Sequence, residues 1–227
     1  MSDAAEPADS KRTLSEEERA EEVIRVMHEL YPDAHCALDY DSALELLVAT
    51  ILSAQSTDER VNIVTEDLFE AYTSAEEFAS ANPEELQEMI RSTGFFRNKA
   101  KYIMNSAEKI VEEHGGEVPD TMEELTELSG VARKTANVVL GTYFEKPVGF
   151  VVDTHIKRVT YRLGLTAETR PEKVEQDLME VFPREEWIFL GHAIIWHGRQ
   201  ICSARKPACS RCPLEPICPQ NGVEEHE

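Results

Sequence analysis

One lysine in this chain stands where a nucleophile could. In LSGVARKTANVVL (128–140), a Gly-containing turn separates a helix ending near Leu128 from one starting near Arg133. Lys134 follows Arg133 and precedes the apolar run from Ala136 to Leu140. A cationic neighbour and partial desolvation both favour the neutral amine, the form that attacks an electrophilic carbon. Amides at the N-terminus of such a helix also suit a phosphate. The bland reading of one lysine at a helix junction is a surface charge. Downstream, VVDTHIKRV (151–159) places a single carboxylate, Asp153, after an apolar run. Asp there reads as an N-cap for a helix beginning near Thr154, and capping is compatible with catalysis.

Four of the five cysteines fall within 17 residues: Cys202, Cys209, Cys212 and Cys218, with six, two and five residues between them. A disulfide framework is not expected, because MSDAAEPADS has no basic stretch followed by an apolar one and so is no secretory signal. Four closely spaced thiolates suit one metal centre, Zn²⁺ or a [4Fe–4S] cluster. Spacing alone does not choose between them. Cys36 stands apart and reads as a small buried hydrophobe.

The elements that must position these residues read as helices. Residues 16–30 are amphipathic, with Val23, Val26, Met27 and Leu30 on one side. Residues 42–54 are nearly all apolar, which predicts a central buried helix. Residues 58–70 and 75–80 are amphipathic again. Asn82-Pro83-Glu84-Glu85 is a helix start with Pro at N1 and acids in the first turn. Gly94 breaks that helix, 97–113 resumes the period, and Gly115-Gly116 ends it. Thr121 followed by Glu124 reads as a capping box for 122–128. Residues 133–144, 171–182 and 186–199 are further helices. The one strand-like run, Val148–Val152, is too short to imply a sheet. The fold class is therefore all-α.

The length of 227 residues allows one large or two small domains. Hydrophobic residues make up 41%, enough for a core, and no apolar run approaches a membrane span. A soluble intracellular protein is expected. The net charge of −21 argues at first against a nucleic-acid partner. Yet windows 91–109, 130–162 and 197–212 together carry 15 bases and 3 acids, while the remainder carries 8 bases and 41 acids. The reading is a basic working surface on an acidic, lysine-poor protein. Such a surface suits very high salt, where self-repulsion is screened.

LSGVARKTANVVL, VVDTHIKRV, HGRQICSARKPACSRC and ILSAQSTD together resemble endonuclease III, a DNA glycosylase family of the helix–hairpin–helix superfamily. The resemblance runs from about residue 22 to about 219. It implies two helical domains with DNA in the cleft between them. Residues 37–147 would form a six-helix barrel carrying the hairpin. Residues 148–227 would form the cluster domain, against which an N-terminal tail and helix (1–36) pack. By the same resemblance Lys134 is the Schiff-base nucleophile, and Asp153 assists attack and stabilises the sugar cation. Cys202, Cys209, Cys212 and Cys218 become the [4Fe–4S] ligands. DNA contacts fall to Gly130, Val131, Ala132 and Arg133 of the hairpin, and to Arg205 and Lys206 between the first two ligands. Gln55 would fill the gap left by an extruded base, and Phe95 would be the wedge. In the hairpin, Ser129 and Ala132 replace the family's Pro and second Gly. A left-handed alanine at 132 would cost roughly 1 kcal/mol.

The implied activity is base excision repair: removal of oxidised pyrimidines from double-stranded DNA, then strand cleavage 3′ to the abasic site by β-elimination. A monomer in the cytoplasm, at the nucleoid and away from membranes, is expected. The alternatives are a monofunctional adenine or thymine mismatch glycosylase, whose relatives generally lack the lysine, and a non-catalytic iron–sulfur DNA-binding protein.

Overall fold

A computed structural model describes residues 14–227; the start of the chain, where the absence of a secretory signal is read and the N-terminal tail is expected, lies outside the described residues. Among the described residues there is no strand. In chain order the helices are α1 (Glu16–Leu30), α2 (Ala43–Ser53), α3 (Asp58–Ala71), α4 (Ala75–Ala79), α5 (Pro83–Met89) and α6 (Phe96–His114). They continue as α7 (Met122–Thr126), α8 (Arg133–Thr142), α9 (Thr154–Arg162), α10 (Pro171–Val181) and α11 (Trp187–Gln200). None of these is long and apolar enough to cross a membrane.

Helix starts follow local chemistry. Ser15, Ser42, Thr57, Ser74, Asn82 and Thr121 each accept a first-turn N–H through the side chain. That satisfies one of the amides a helix leaves without a partner. Ser15 and Glu18 form a complete capping box. Thr121 and Glu124 form only half of one. Thr121 Oγ1 accepts the Glu124 N–H but donates to the Glu124 carboxylate, which therefore does not reach back to the cap amide. Residues 148–152 pass between α8 and α9 as irregular backbone.

The chain divides into two compact units. One is His35–Val151 and holds α2 to α8. Its core forms around α2, whose Leu46, Leu47, Val48, Ala49, Ile51 and Leu52 are all buried. Helices α3, α6 and α8 pack against it, and α4 and α5 pack on α6. Cys36 is partly buried against this core, as a small hydrophobe would be. The other unit joins residues 14–34 to Val152–Glu227. There α11 packs on α9 and on α1, and α1 also touches α10. The apolar face of α1, with Val23, Val26 and Met27, is fully buried.

Candidate active site

The turn before α8 is built around Gly130. Its φ is +76°, and a Cβ there would stand 2.6 Å from the Tyr102 ring on α6. Backbone angle and close approach each require glycine. The Val131 N–H closes the turn on the Leu128 carbonyl at 3.2 Å, and Ser106 Oγ donates to the Ser129 carbonyl at 2.7 Å. Leu128 and Val131 are buried and anchor the turn. Ala132 is the N-cap of α8, with φ −93° and ψ 171°. That is extended backbone open to any residue, so the strain expected of a left-handed alanine does not arise. Ala132 supplies no side-chain cap. The positive end of the α8 dipole thus meets no protein side chain at its cap, which suits an external anion.

Arg133 and Lys134 are both exposed in the first turn of α8. The partial burial expected of Lys134 is not observed. The buried face of α8 begins at Ala136, and two residues are about 200° of helix rotation. Asp153 belongs to the other unit. It is half-buried as the N-cap of α9, and its Oδ1 accepts the Ile156 N–H at 2.8 Å. Burial holds the nearby His155 below its ordinary pKa, against the opposing pull of the Asp153 charge.

Gln55 and Phe95 line one cavity of about 230 Å³, together with Lys99, Tyr102, Gly130 and Thr135. Both are exposed, Phe95 by 63%. Core packing is therefore not the role of Phe95. Both also have left-handed backbones, φ 56° at Gln55 and φ 48° at Phe95. That conformation costs a non-glycine residue about 1–2 kcal/mol. Such strain recurs at functional sites, and of the four described non-glycine residues with positive φ only Gln55 and Phe95 line this cavity.

The cysteines gather in the other unit. Cys202, Cys209, Cys212 and Cys218 all line one cavity, with Arg162 and His197 among its walls. Arg162, only 6% exposed, donates to Cys202 Sγ at 3.3 Å. It also donates to the Ser203 carbonyl at 2.7 Å and the Ala204 carbonyl at 2.8 Å. Those bonds fix the loop whose next two residues, Arg205 and Lys206, are exposed. His197 lies 3.5 Å from Cys212 Sγ through Nε2 and 3.2 Å from the Tyr31 hydroxyl through Nδ1. Burial pushes His197 down to about 4 and the Cys212 thiol up to about 11, with the neighbouring thiols adding to the latter.

Three residues carry more of the site than their sequence suggests. Lys99 and Arg162 fall in the basic windows, yet both are buried and bond to carbonyls rather than facing solvent. Helical spacing held the signal for Lys99, which shares the buried stripe of Ala100, Ile103, Ser106 and Ala107. Tyr102 carries no motif at all, and only its contact with Gly130 reveals it.

Residues 48–184 match the profile of the HhH-GPD superfamily base excision DNA repair protein. An endonuclease III of Synechocystis sp. is 53% identical over 209 residues, covering 92% of this chain and 95% of its own. That of Bacillus subtilis is 44% identical and covers 84% and 87%. The solved structure of a trapped endonuclease III–DNA covalent intermediate superposes with a TM-score of 0.86 at 41% identity, covering 92% and 97%. A thermostable thymine-DNA glycosylase shares the fold, with a TM-score of 0.80 at 19% identity, covering 89% and 96%.

Proposed function

This chain belongs to the endonuclease III family of HhH-GPD base excision repair proteins, and on that premise we propose that it removes oxidised pyrimidines from duplex DNA through a Schiff base on Lys134. It is a DNA glycosylase and AP lyase of base excision repair. The observation that carries the lysine assignment is local. Lys134 is exposed in the first turn of a helix with no side-chain cap, directly after a glycine turn that brings backbone close to solvent.

The reaction then runs through this chain's own groups. The damaged nucleotide leaves the stack at a cost of a few kcal/mol. The Lys134 amine attacks C1′, the glycosidic bond breaks, and the base departs with the bonding pair. Asp153 balances the positive charge that grows on the sugar. The attached nitrogen gives up one proton and O4′ gains one as the ring C1′–O4′ bond opens, leaving an iminium that keeps a single N–H. A base removes a C2′ proton, the C3′–O bond breaks, and the iminium takes up the electron pair in transit. Sodium borohydride reduces that iminium to a stable adduct on thymine-glycol duplex. Lys134→Ala should leave none, and an undiminished adduct would overturn the assignment.

The cysteine donors fit a [4Fe–4S] cluster. All four thiols line one cavity. A cluster would take one thiolate from each of the four, as the endonuclease III resemblance implies. When bound, the cluster supplies a covalent staple for the loop that carries Arg205 and Lys206. Those side chains hold phosphates. The reading takes the protein to act as a monomer at the cytoplasmic nucleoid.

A further inference from the structure

Lys99 is only 3% exposed, on the buried face of α6. Its ammonium donates to the Leu52 carbonyl at 2.7 Å and to the Thr93 carbonyl at 2.8 Å. Its backbone N–H donates to the Phe95 carbonyl at 3.1 Å. Leu52 lies three residues before Gln55, and Thr93 two residues before Phe95. One residue therefore grips both segments that carry the left-handed side chains.

The chemistry of the grip is specific. Leu52 belongs to the last turn of α2, whose carbonyls find no N–H donors within the helix and turn to outside ones. That turn contains no basic residue of its own, so α6 supplies the cation that complements the dipole. Thr93 is fixed in turn, 2% exposed with its hydroxyl donating to the Ile90 carbonyl at 2.8 Å. Burial lowers the Lys99 pKa from its ordinary value, a cost that an apolar residue in the same place would avoid. Retaining a charge there calls for a task that packing alone does not perform.

We infer that Lys99 is a positioning residue for base extrusion: it locks the Gln55 and Phe95 loops into one rigid unit, so that both side chains enter the duplex together. The inference rests on the glycosylase reading above. It predicts damage to steps that need a base moved, and little to steps that do not.

The test is Lys99→Met assayed on two substrates. Excision of thymine glycol from duplex should lose roughly 10- to 100-fold in kcat, the scale of a misplaced positioning group. KM should change by less than about threefold. Cleavage at a preformed abasic site, which has no base to extrude, should fall by less than about threefold. In a Gln55→Ala/Phe95→Ala background the same substitution should change excision no further, since its route of action is gone. Should Lys99→Met fail to fold, Lys99→Gln, which stays polar but is too short to hold both carbonyls, takes its place in the same cycle. Unchanged excision, equal loss on both substrates, or an undiminished effect in the double-alanine background would each overturn the clamp. The underlying reaction fails differently. Wild-type protein without a borohydride adduct would sink the chemistry. The clamp would still be read by 2-aminopurine placed beside thymine glycol in duplex, whose fluorescence should rise on binding wild type and not on binding Lys99→Met.

Discussion

The Arg162 guanidinium lies 3.3 Å from the Cys202 thiol, reaching it from a helix 40 residues earlier in the chain. The same side chain holds the carbonyls of Ser203 and Ala204. The proposed cluster ligand and the loop proposed to meet DNA therefore both depend on one buried cation. Arg162→Leu should strand those carbonyls at about 1–3 kcal/mol for each left buried. Iron content per chain should fall, and affinity for abasic-analogue duplex should fall with it. Full iron loading with unchanged affinity would contradict this linkage.

Asp153 caps α9, and substitution can separate that role from the one proposed for it in base release. Asn caps a helix as well as Asp does, whereas Ala does not. Asp153→Asn should keep the melting temperature within a few degrees while slowing base release. Asp153→Ala should show the same slowing and lose a further 0.5–2 kcal/mol or so of stability. Thermal melts beside single-turnover excision decide it, and wild-type excision by Asp153→Asn would remove the carboxylate from the mechanism.

The hairpin has one position that demands glycine and one that does not. Gly130→Ala meets both the +76° φ and the Tyr102 ring, so stability should fall by roughly 1–3 kcal/mol and duplex binding should weaken. Ala132→Gly should bring no gain. At φ −93° there is no strain to relieve, and glycine's better standing as an N-cap is offset by an unfolded chain loosened by about 0.4–1 kcal/mol. Urea titrations of both variants check the pair.

Lys99 sets a pH dependence of stability. Its folded pKa lies below the unfolded value near 10.5. Between the two, the unfolded chain binds more protons, so this residue's contribution to stability rises with pH through that window. Below the folded pKa the contribution is flat. The stability difference between wild type and Lys99→Met should therefore shift in favour of wild type as pH climbs toward 10.5. A difference that falls over that range would reverse the sign argued here.

The acidic exterior predicts tolerance of salt. At about 1 M the Debye length is about 3 Å, and long-range attraction to phosphates is screened. Excision should persist there, carried by hydrogen bonds and by the Gln55 and Phe95 loops. Collapse of activity above about 1 M, in a salt series on thymine-glycol duplex, would count against salt adaptation.

Much of the helical framework was legible in the sequence because helix starts are local. A Ser, Thr or Asn ahead of acids marks six of the eleven described α-helices, and α2 stands out as an apolar run in a polar chain. The candidate lysine was legible for the same reason, lying directly after a Gly turn. Burial of charge was not. Lys99 and Arg162 read as surface cations, and only the fold shows the carbonyls that wait for them. Nor was the backbone sign at Gln55 and Phe95, since a left-handed residue is announced by glycine and neither position has one. At the hairpin the need for glycine rests at 130 and not at 132.

The unit that carries the thiols is assembled from both ends of the chain: α1 packs against α10 and α11, and His35–Val151 is made in between. Translation therefore delivers α1 long before its partners exist. The middle unit holds its own core and can condense while the ribosome is still working. Helix α1 must wait, its apolar stripe of Val23, Val26 and Met27 uncovered, until the last helices emerge. Its acidic outer face, with Glu16, Glu17 and Glu18 in the first turn, keeps that waiting segment soluble. With the proposed cluster, iron loading becomes the closing act of biogenesis, and a ribosome that stalls just short of Cys202 leaves a helical middle without the partners of α1.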